Sequence, residues 1–453
     1  MRLIKFEGSK INEYLDIEIK FNCDLSILTG TNGSGKTTSL NLIQAILLPK
    51  LPDIITIPFE FIKLEIEYAE NQYKIQIDKD KNSIVFNVFI NSTEQLFSSF
   101  ILSREYITEF DIYNIKNSDH KKIDYLFRKF QKEEYFQFIN NLSKPILIGL
   151  ERTSNNINNE YKDYLYERNL FLRKDTLKSN PYLHKQNLGV SILETEMLVQ
   201  NVYKRVKVVR DNYYKMINKE LIMSSFDFFD FDITSLADEV ALNDKFRILE
   251  KRTEIEETLK SIGFLDIELS KKLSVFFEKV ENVMRKLDDG DQSSTLEWLL
   301  NKSQIDKLYK VLNIIDDYNV KAKRIFEPVN RFLKIINSFL KDTSKKIFID
   351  EVGRLLISKP SGRNLTIDEL SSGERQLIIL FANVIFNKYN PNRKTFSEIM
   401  IIDEPEISLH IRWQDKFVES LLEASSQTQF ILASHSPDII GDYKLQTIRI
   451  NKK

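Results

Sequence analysis

Cysteine, histidine and glycine are scarce in this chain of 453 residues, and the first two scarcities exclude whole classes of protein. Cys23 is the only cysteine, which excludes a disulfide framework and a zinc site built from paired cysteines and fits a reducing cytosol. The four histidines are scattered and form no metal-binding cluster. We therefore expect a cytoplasmic protein that needs neither disulfides nor a structural metal.

Long apolar runs and an excess of one charge are absent as well. No run approaches the roughly 18 apolar residues of a membrane helix, and Met1–Phe6 leads into a predicted strand without a secretion signal. The chain carries 65 Lys and Arg against 66 Asp and Glu, a net charge of −1. We expect no membrane partner and no overall attraction to nucleic acid, although local charged patches remain open.

Glycine is scarce overall, yet three of the 12 glycines lie within six positions, in a GxxxxGK[ST] motif. The predicted phosphate-binding set is Gly30, Thr31, Asn32, Gly33, Ser34, Gly35, Lys36, Thr37 and Thr38. In such a loop backbone N–H groups converge on phosphate oxygens, and the following helix points its positive dipole end at the same anion. The motif places Lys36 at the β- and γ-phosphates and the Thr37 hydroxyl on Mg²⁺.

The flanking residues agree with this interpretation. Residues 26–28 form a short apolar run that predicts a strand before the loop. Leu40, Ile43 and Leu47 recur at helical spacing after it, and Pro49 ends the helix.

An acidic pair follows a second apolar run, the Ile-Met-Ile-Ile of residues 399–402. Such a run is typical of a buried parallel strand, and α/β sheets place their ligand sites at the carboxyl ends of strands. We therefore expect Asp403 to hold Mg²⁺ through water and Glu404 to accept a proton from the attacking water. A strand end that merely meets a helix cap is the alternative for the pair taken alone.

Two more motifs complete an ordered set, Leu-Ser-Ser-Gly-Glu at 370–374 and Ser-His-Ser-Pro at 434–437. The order of the four motifs resembles the ATP-binding-cassette head of the SMC and OLD group of ATPases. In that group the serine-glycine motif opens a helix that caps the γ-phosphate of ATP held by a second protomer, so the resemblance implies ATP and Mg²⁺ as cofactors and a head active only as a dimer. The residues implied in this cap are Ser371, Ser372, Gly373 and Glu374.

The same resemblance assigns roles near the phosphates. His435 matches the switch histidine at the γ-phosphate, and it joins Lys36 and Glu404 as an implied catalytic residue. Ser408 lies in the loop that crosses between protomers. The glutamine that links Mg²⁺ to the first lobe cannot be placed, because Gln44 falls inside the predicted first helix. Arg152 is the candidate for its position, after a predicted strand at 146–150.

The residue that stacks on adenine stays open between Phe6 and Tyr14. The fold class that follows is α/β, a two-lobed P-loop head with an inserted helical or short coiled-coil domain. We expect the N-terminal lobe at 1–152, the helical insertion at 153–343 and the C-terminal lobe at 344–453.

Periodicity supports this division. Alternating runs at 61–68, 72–78 and 83–90 predict antiparallel strands, and the segment at about 100–145 is mixed in pattern and expected to be helical. Four-three spacing predicts helix seams within the insertion. The predicted seams are Val202, Val206, Val209, Tyr213 and Met216; Leu269, Leu273, Phe276, Val280, Val283 and Leu287; and Ile325, Val329, Phe332, Ile336 and Phe339. Each seam lasts about 20 residues, or roughly 30 Å, so long SMC arms are not expected.

Later segments return the chain to the head. Runs at 346–350 and 353–358 predict a hairpin, and the helix opened by Leu-Ser-Ser-Gly-Glu is apolar on nearly all sides and should be buried. Basic residues interleaved with tyrosines at 203–219 favour a solvated helix face over a nucleic-acid site. The Asp-rich segment 226–232 favours a loop with buried phenylalanines over a metal site.

Compact heads with these motifs resemble the ATPase subunits of bacterial anti-phage systems such as PARIS and Septu, in which the ATPase is sensor and scaffold for an effector nuclease. This implies a head-to-head homodimer, or a higher even oligomer, with a nuclease partner in trans. A RecF-like DNA repair or recombination clamp, with nucleic acid as partner, is the alternative. A transporter cassette is third, because its insertion is much shorter. About 16 residues follow Pro437, and with no nuclease motif elsewhere we expect this chain to cut nothing by itself.

Overall fold

The computed structural model describes residues 1–91, 94–103, 129–148, 187–224, 267–288 and 323–450, except 351, 361, 363 and 387–397, and isolated positions between 252 and 321. The chain divides into two compact units. The first comprises Met1–Val202 with Val329–Lys453, and the second Tyr203–Pro328. Arg152 and the segment 226–232 lie outside the described residues.

The described strands are β1 Arg2–Ile11, β2 Leu15–Lys20, β3 Leu25–Thr29, β4 Phe61–Tyr68, β5 Asn71–Lys79, β6 Ser83–Ile90, β7 Glu94–Gln95, β8 Phe100–Ser103, β9 Ile146–Ile148, β10 Lys346–Ile349, β11 Leu355–Ser358, β12 Asn364–Leu365, β13 Ile399–Asp403, β14 Gln429–Ala433 and β15 Thr447–Arg449. The described helices are α1 Lys36–Leu47, α2 Leu51–Thr56, α3 Glu134–Asn141, α4 Asn187–Ser224, α5 Ile267–Asp288, α6 over 323–340, α7 Ser372–Phe386, α8 Ile411–Gln414, α9 Phe417–Ala424 and α10 Pro437–Ile440. Short 3-10 helices lie at Lys341–Thr343, Ile367–Glu369, Pro405–Ser408 and Lys444–Gln446.

A parallel sheet in the order β15-β3-β14-β13-β9 forms the centre of the first unit. Every residue of β13 and β14 is buried. Ile399 and Ile401 belong to the hydrophobic cluster that includes α1, whereas Met400 and Ile402 belong to the cluster that includes α7. Apolar side chains therefore project from both faces of the sheet, and for this reason the apolar runs in the sequence are continuous rather than alternating.

An antiparallel sheet in the order β2-β1-β4-β5-β6-β7, with β8 on β6, lies in the same unit. The predicted strands at 61–68 and 83–90 are confirmed. The predicted strand at 72–78 is also present and is one residue longer at each end, Asn71–Lys79. The expected helical character of 100–145 is wrong at its start, because Phe100–Ser103 is a strand that pairs with β6. Burial of Phe100 and Leu102 on alternate positions stabilises that edge pairing.

Two polar side chains, the buried Gln429 and the half-buried Lys144, join the parts of this unit. Gln429 accepts a hydrogen bond from the Leu3 N–H at 2.8 Å and donates to the Leu3 and Asn22 carbonyls at 2.9 and 2.8 Å. Lys144 donates to the carbonyls of Leu47, the last residue of α1, and Ile139 of α3, at 3.0 and 2.6 Å. Burial lowers the pKa of Lys144 to about 8. These bonds satisfy carbonyls near the ends of both helices.

The return to the head matches expectation. β10 and β11 pair as an antiparallel hairpin, and β12 extends it. Most residues of α7 are buried, as predicted for the helix opened by Leu-Ser-Ser-Gly-Glu.

The described part of the second unit is helical. Helix α4, which begins in the first unit and continues into the second, spans 38 residues, about 57 Å at 1.5 Å per residue, and extends beyond the predicted seam at both ends. In α5 the fully buried aromatic residue is Phe277 rather than the predicted seam residue Phe276. The Arg252 guanidinium lies 5.6 Å from the centre of the Phe277 ring. Among the described helices, none combines the length and the apolar character that a membrane crossing requires.

Candidate nucleotide site

The phosphate loop, the histidine motif and the acidic pair follow β3, β14 and β13, which are neighbours in the parallel sheet. Backbone bonds continue the pairing past the strand ends. The Ser434 N–H donates to the Leu28 carbonyl at 3.1 Å, and the Glu404 N–H donates to the Ala433 carbonyl at 2.9 Å. Three motifs that are far apart in sequence therefore meet at one carboxyl edge, where ligands bind in sheets of this type.

Two glycines of the loop are required by their surroundings. Gly35 has a φ of 94°, and an added Cβ would lie 2.6 Å from Ile17 Cδ1. At Gly30 an added Cβ would lie 2.6 Å from Ser34 Oγ and 2.8 Å from the Ile450 carbonyl oxygen. A side chain at either position would displace the loop from β2 or from the residue after β15, so the tight turn depends on glycine.

The Lys36 side chain folds back over the loop. Its Nζ donates to the carbonyl oxygens of Gly30 at 2.9 Å and Thr31 at 3.3 Å. Burial lowers the pKa of Lys36, while the charges of Glu404 and Asp403 act in the opposite direction. The ammonium group is thus held between the loop and the acidic strand end, within the electrostatic field of both carboxylates.

Asp403 and Thr37 form the part of the site that fits a hard cation. Asp403 is only 8% exposed, its Oδ1 makes no hydrogen bond, and Thr37 is near enough to lower the pKa of its carboxyl group. Burial raises the pKa of Asp403, Thr37 and Lys36 lower it, and the net shift is upward. A buried carboxylate oxygen without a partner calls for a ligand, and Mg²⁺ takes oxygen ligands of these types. Ser34 Oγ is likewise buried and unpaired in the loop.

Glu404 adopts a backbone conformation that is unusual for its residue type. With φ 50° and ψ 56° it lies in the left-handed region, a strain of about 1 kcal/mol that is found mostly at functional sites. This conformation turns the chain from β13 into the 3-10 helix Pro405–Ser408. This backbone conformation therefore determines the position of the predicted general base, Glu404, at the edge of the sheet.

His435 lies one residue beyond the buried Ser434, and its side chain is exposed. Its backbone N–H donates to Glu406 Oε1 at 2.7 Å. Sequence reasoning missed Glu406, although the third carboxylate in Asp-Glu-Pro-Glu was a signal for it. The structure thus adds a third acidic residue next to the two that were predicted.

At the start of α7, Ser371 and Ser372 are exposed, whereas Gly373 and Glu374 are buried. The Glu374 carboxylate accepts hydrogen bonds from the Ser371 N–H at 2.9 Å and the Ser371 hydroxyl at 2.8 Å, and it pairs with Lys345 Nζ at 2.7 Å. Because its carboxylate is fully engaged, we propose that Glu374 positions the helix start and that Ser372 and the first N–H groups are the parts available to a ligand.

The Lys345–Glu374 pair supplies a stability prediction. Lys345→Met is expected to lower the free energy of unfolding by about 3 kcal/mol, because it leaves a buried carboxylate without its counter-ion. Burial would raise the pKa of Glu374, but the bonds from Lys345 and Ser371 outweigh it and hold the pKa below 4.5. The ionised Glu374 therefore stabilises the fold above about pH 4.5, and this stability is lost as the pH falls through the lower folded pKa.

Urea unfolding of the wild-type protein and of Lys345→Met across this pH range measures the free energy of unfolding of each. The difference between these two free energies should become smaller on the acid side. Lys334→Met is the matched control, since Lys334 pairs at 2.7 Å with Glu423 on the surface. It should cost under about 1 kcal/mol. Equal costs for the two variants would contradict a special role for Lys345.

Several predicted positions change in the structure. Phe6 is fully buried in the core, so the prediction that it could stack on adenine is wrong, while Tyr14 is 61% exposed and stays a candidate. Gln44 is buried in α1 and accepts a hydrogen bond from Lys50 Nζ at 3.1 Å. It is therefore not placed to link Mg²⁺ to the first lobe.

Comparison with known proteins gives partial matches. Residues 229–441, just under half of the chain, match the family model "AAA domain, putative AbiEii toxin, Type IV TA system". The matched segment contains α7, β13 and β14 but not the phosphate loop. The retron Vc95 probable ATPase of Vibrio cholerae serotype O1 biovar El Tor is 26% identical over 191 residues, 39% of this chain and 37% of that protein.

The retron Ec83 probable ATPase of Escherichia coli is 25% identical over 173 residues, 37% of this chain and 31% of that protein. The chromosome partition protein Smc of Methanocaldococcus jannaschii is 23% identical over 189 residues, 42% of this chain and 15% of that protein. The matches thus span between 15% and 37% of the length of these relatives.

Among solved structures, an Smc head domain of Pyrococcus furiosus bound to the C-terminal domain of ScpA aligns over 99% of this chain and 94% of its own, with 12% identity and a TM-score of 0.35. The SMC head domain of Thermotoga maritima aligns over 98% and 93%, with 13% identity and a TM-score of 0.31. Likenesses this weak add nothing to the fold assignment, which rests on the sheet order. The site geometry, the partial family match and the sequence relatives together support a P-loop ATPase that is similar in part to the retron probable ATPases.

Proposed function

We propose that this chain is a Mg²⁺-dependent ATPase that dimerises head to head around ATP. One observation carries the proposal: the phosphate loop, Asp403 with Glu404, and His435 stand at the carboxyl ends of three adjacent parallel strands. Lys36 and Thr37 lie close enough to the acidic strand end to act on it, since both lower the pKa of Asp403. This combination suits the phosphates of a nucleotide together with a divalent cation.

The chemistry divides among the residues of the chain. Backbone N–H groups of the loop hold the phosphates, and Lys36 offsets the charge at the β- and γ-positions. Thr37 and Asp403 would hold Mg²⁺, which when bound neutralises charge on the phosphate oxygens. Glu404 accepts the proton of the attacking water, and His435 lies at the neighbouring strand end to contact the γ-phosphate.

A second protomer is part of the proposal because the start of α7 is exposed and offers an anion site. Ser372 opens a helix of 15 residues, whose N-terminus favours a negative charge. Ile407 and Ile411, close to Glu404 in sequence, are 57% and 61% exposed. An apolar patch beside a polar site suits coverage by a second copy of the chain.

The proposed role of this ATPase is to act as sensor and scaffold for an effector nuclease in anti-phage defence. The supporting findings are the similarity to retron ATPases and to the toxin–antitoxin family model. Plaque counts test it in cells that carry the gene with its flanking genes, where Lys36→Ala should abolish protection. Full protection by Lys36→Ala would contradict a role for nucleotide binding in defence.

A DNA repair or recombination clamp is the second candidate, and the exposed basic residues of α4 are the surface that it would use. Lys204, Lys207, Lys215 and Lys219 are exposed, while Val206 on the opposite side of the helix is buried. If duplex DNA stimulates ATP hydrolysis and the stimulation falls steeply as the salt concentration rises, the result would favour the clamp. A rate of ATP hydrolysis that does not change when DNA is added would favour the scaffold.

The scaffold proposal predicts that the purified chain hydrolyses ATP and leaves DNA and RNA intact with Mg²⁺ or Mn²⁺. Nucleolytic output then requires a partner protein. Incubation with labelled DNA and RNA, resolved on denaturing gels, measures this. Metal-dependent cleavage that co-purifies with the chain and disappears on changing Asp230 and Asp232 would refute it.

A further inference from the structure

The two oxygens of the Glu406 carboxylate have different surroundings. Oε1 accepts the hydrogen bond from the His435 N–H at 2.7 Å, and Oε2 is buried without a hydrogen bond. Burial has the largest effect on two neighbouring groups, lowering the pKa of Lys36 and raising the pKa of Asp403. The negative charge of Glu406 raises the pKa of each of these groups. Glu406 thus contacts the histidine segment directly and also acts on the nucleotide site through its charge.

A second bridge joins the same two segments on the far side of His435. Gln414, in α8, donates from Nε2 to the Leu409 carbonyl at 3.0 Å, and its Oε1 accepts from the Ser436 hydroxyl at 2.6 Å. Residues 404–414 therefore hold the segment 434–436 at two points, the backbone N–H of His435 and the hydroxyl of Ser436. The Ser436 hydroxyl also accepts from the Ile439 N–H at 3.4 Å, which ties the segment to α10.

We propose that Glu406 is a positioning residue that sets the place of His435 relative to the acidic strand end. The His435 side chain is exposed, so packing around the ring does not orient it, and a hydrogen bond from its backbone N–H to a carboxylate is of the stronger, charge-assisted kind. Misplacement of a reacting group by about 1 Å is enough to slow catalysis strongly. This inference rests on the proposed ATPase function.

The bridge also links the site to head pairing. Glu406 lies in the 3-10 helix Pro405–Ser408, next to the exposed Ile407. A second copy that covers Ile407 would restrain this short helix and, through Glu406, the histidine segment. Closure of the dimer and placement of His435 would then be a single event.

A competing role for Glu406 is purely electrostatic, as a third negative charge beside the cation. Gln at this position separates the two, because it keeps the shape and an oxygen that accepts from the His435 N–H but removes the charge. Ala removes both. Positioning therefore predicts that Glu406→Gln retains most activity and Glu406→Ala does not, whereas a charge role predicts equal losses.

The experiment measures kcat and ATP affinity for both variants. Glu406→Ala should lower kcat roughly 10- to 100-fold with ATP affinity little changed, and Glu406→Gln should stay near the wild-type rate. In a His435→Ala background, Glu406→Ala should cost little more, because both changes act through one group. Equal losses for Gln and Ala, a wild-type rate for Ala, or full additivity with His435→Ala would each overturn the proposal.

Gln414→Leu provides an independent test if Glu406→Ala does not fold, as judged from thermal unfolding. It breaks the other bridge and should also lower kcat, again without additivity to His435→Ala. A wild-type kcat for Gln414→Leu would overturn the two-point arrangement. If the wild-type chain hydrolyses no ATP, the proposed function fails; if it does and only Glu406→Ala is without effect, only this inference fails.

Discussion

Glu404→Gln is expected to stop ATP hydrolysis while leaving ATP binding intact. The amide keeps the size of the side chain and the left-handed backbone of residue 404, but it cannot accept a proton from water. A positioned general base contributes about 10²- to 10⁴-fold to the rate, and we expect a loss of this size. Because the ATP-bound state then persists, the variant should also accumulate as a closed dimer.

Phosphate release and equilibrium ATP binding measure the two effects, and size-exclusion chromatography with ATP measures the dimer. Glu419→Gln is the matched control, since Glu419 is exposed on α9 and the same chemical change there should alter neither rate nor assembly. Hydrolysis by Glu404→Gln at close to the wild-type rate would show that the general base lies elsewhere.

Lys36→Ala and Ser372→Arg are expected to fail in different ways and to restore each other when mixed. Lys36→Ala removes the ammonium group from the loop, and loss of its contacts to phosphate should weaken nucleotide affinity about 10- to 100-fold. Ser372→Arg adds bulk and positive charge to the exposed start of α7, so it should spare binding by the monomer and block pairing.

In a mixed dimer, one of the two shared sites combines an intact Lys36 with an intact Ser372. That site should hydrolyse ATP, although each variant alone is inactive. Hydrolysis after mixing, with heterodimers demonstrated by differential tags, measures this. Heterodimers that form but show no activity would argue against a site shared between protomers.

Much of the site could be predicted from local sequence. The spacing of Gly30, Gly35 and Lys36 predicts the phosphate loop, because a tight turn before a helix needs those residue types at that spacing. The apolar runs before Asp403 and His435 predict buried strands, and strand ends are where α/β sheets bind ligands. The observed bounds of β13, β14 and α1 agree with these predictions.

Local sequence failed where pairing between distant segments decided the outcome. Residues 100–103 form a strand because β6 offers an edge to pair with. Phe6 is unavailable to adenine because the strand pairs of β1 turn it into the core. In α5, the burial of Phe277 instead of Phe276 depends on what the helix packs against. The spacing of apolar residues alone cannot determine which of two adjacent residues is buried.

The sequence by itself determined which residue types are present for phosphate, cation and proton chemistry, because each motif is a short run whose geometry follows from its own backbone. Only the tertiary structure decided which of these runs are neighbours. Glu406 bonds to His435 and Lys345 to Glu374, each across 29 positions, and the order β3-β14-β13 brings the phosphate loop beside the histidine motif and the acidic pair. Such contacts depend on how strands are ordered in a sheet, and side-chain burial across that sheet, rather than local propensity, determines the order.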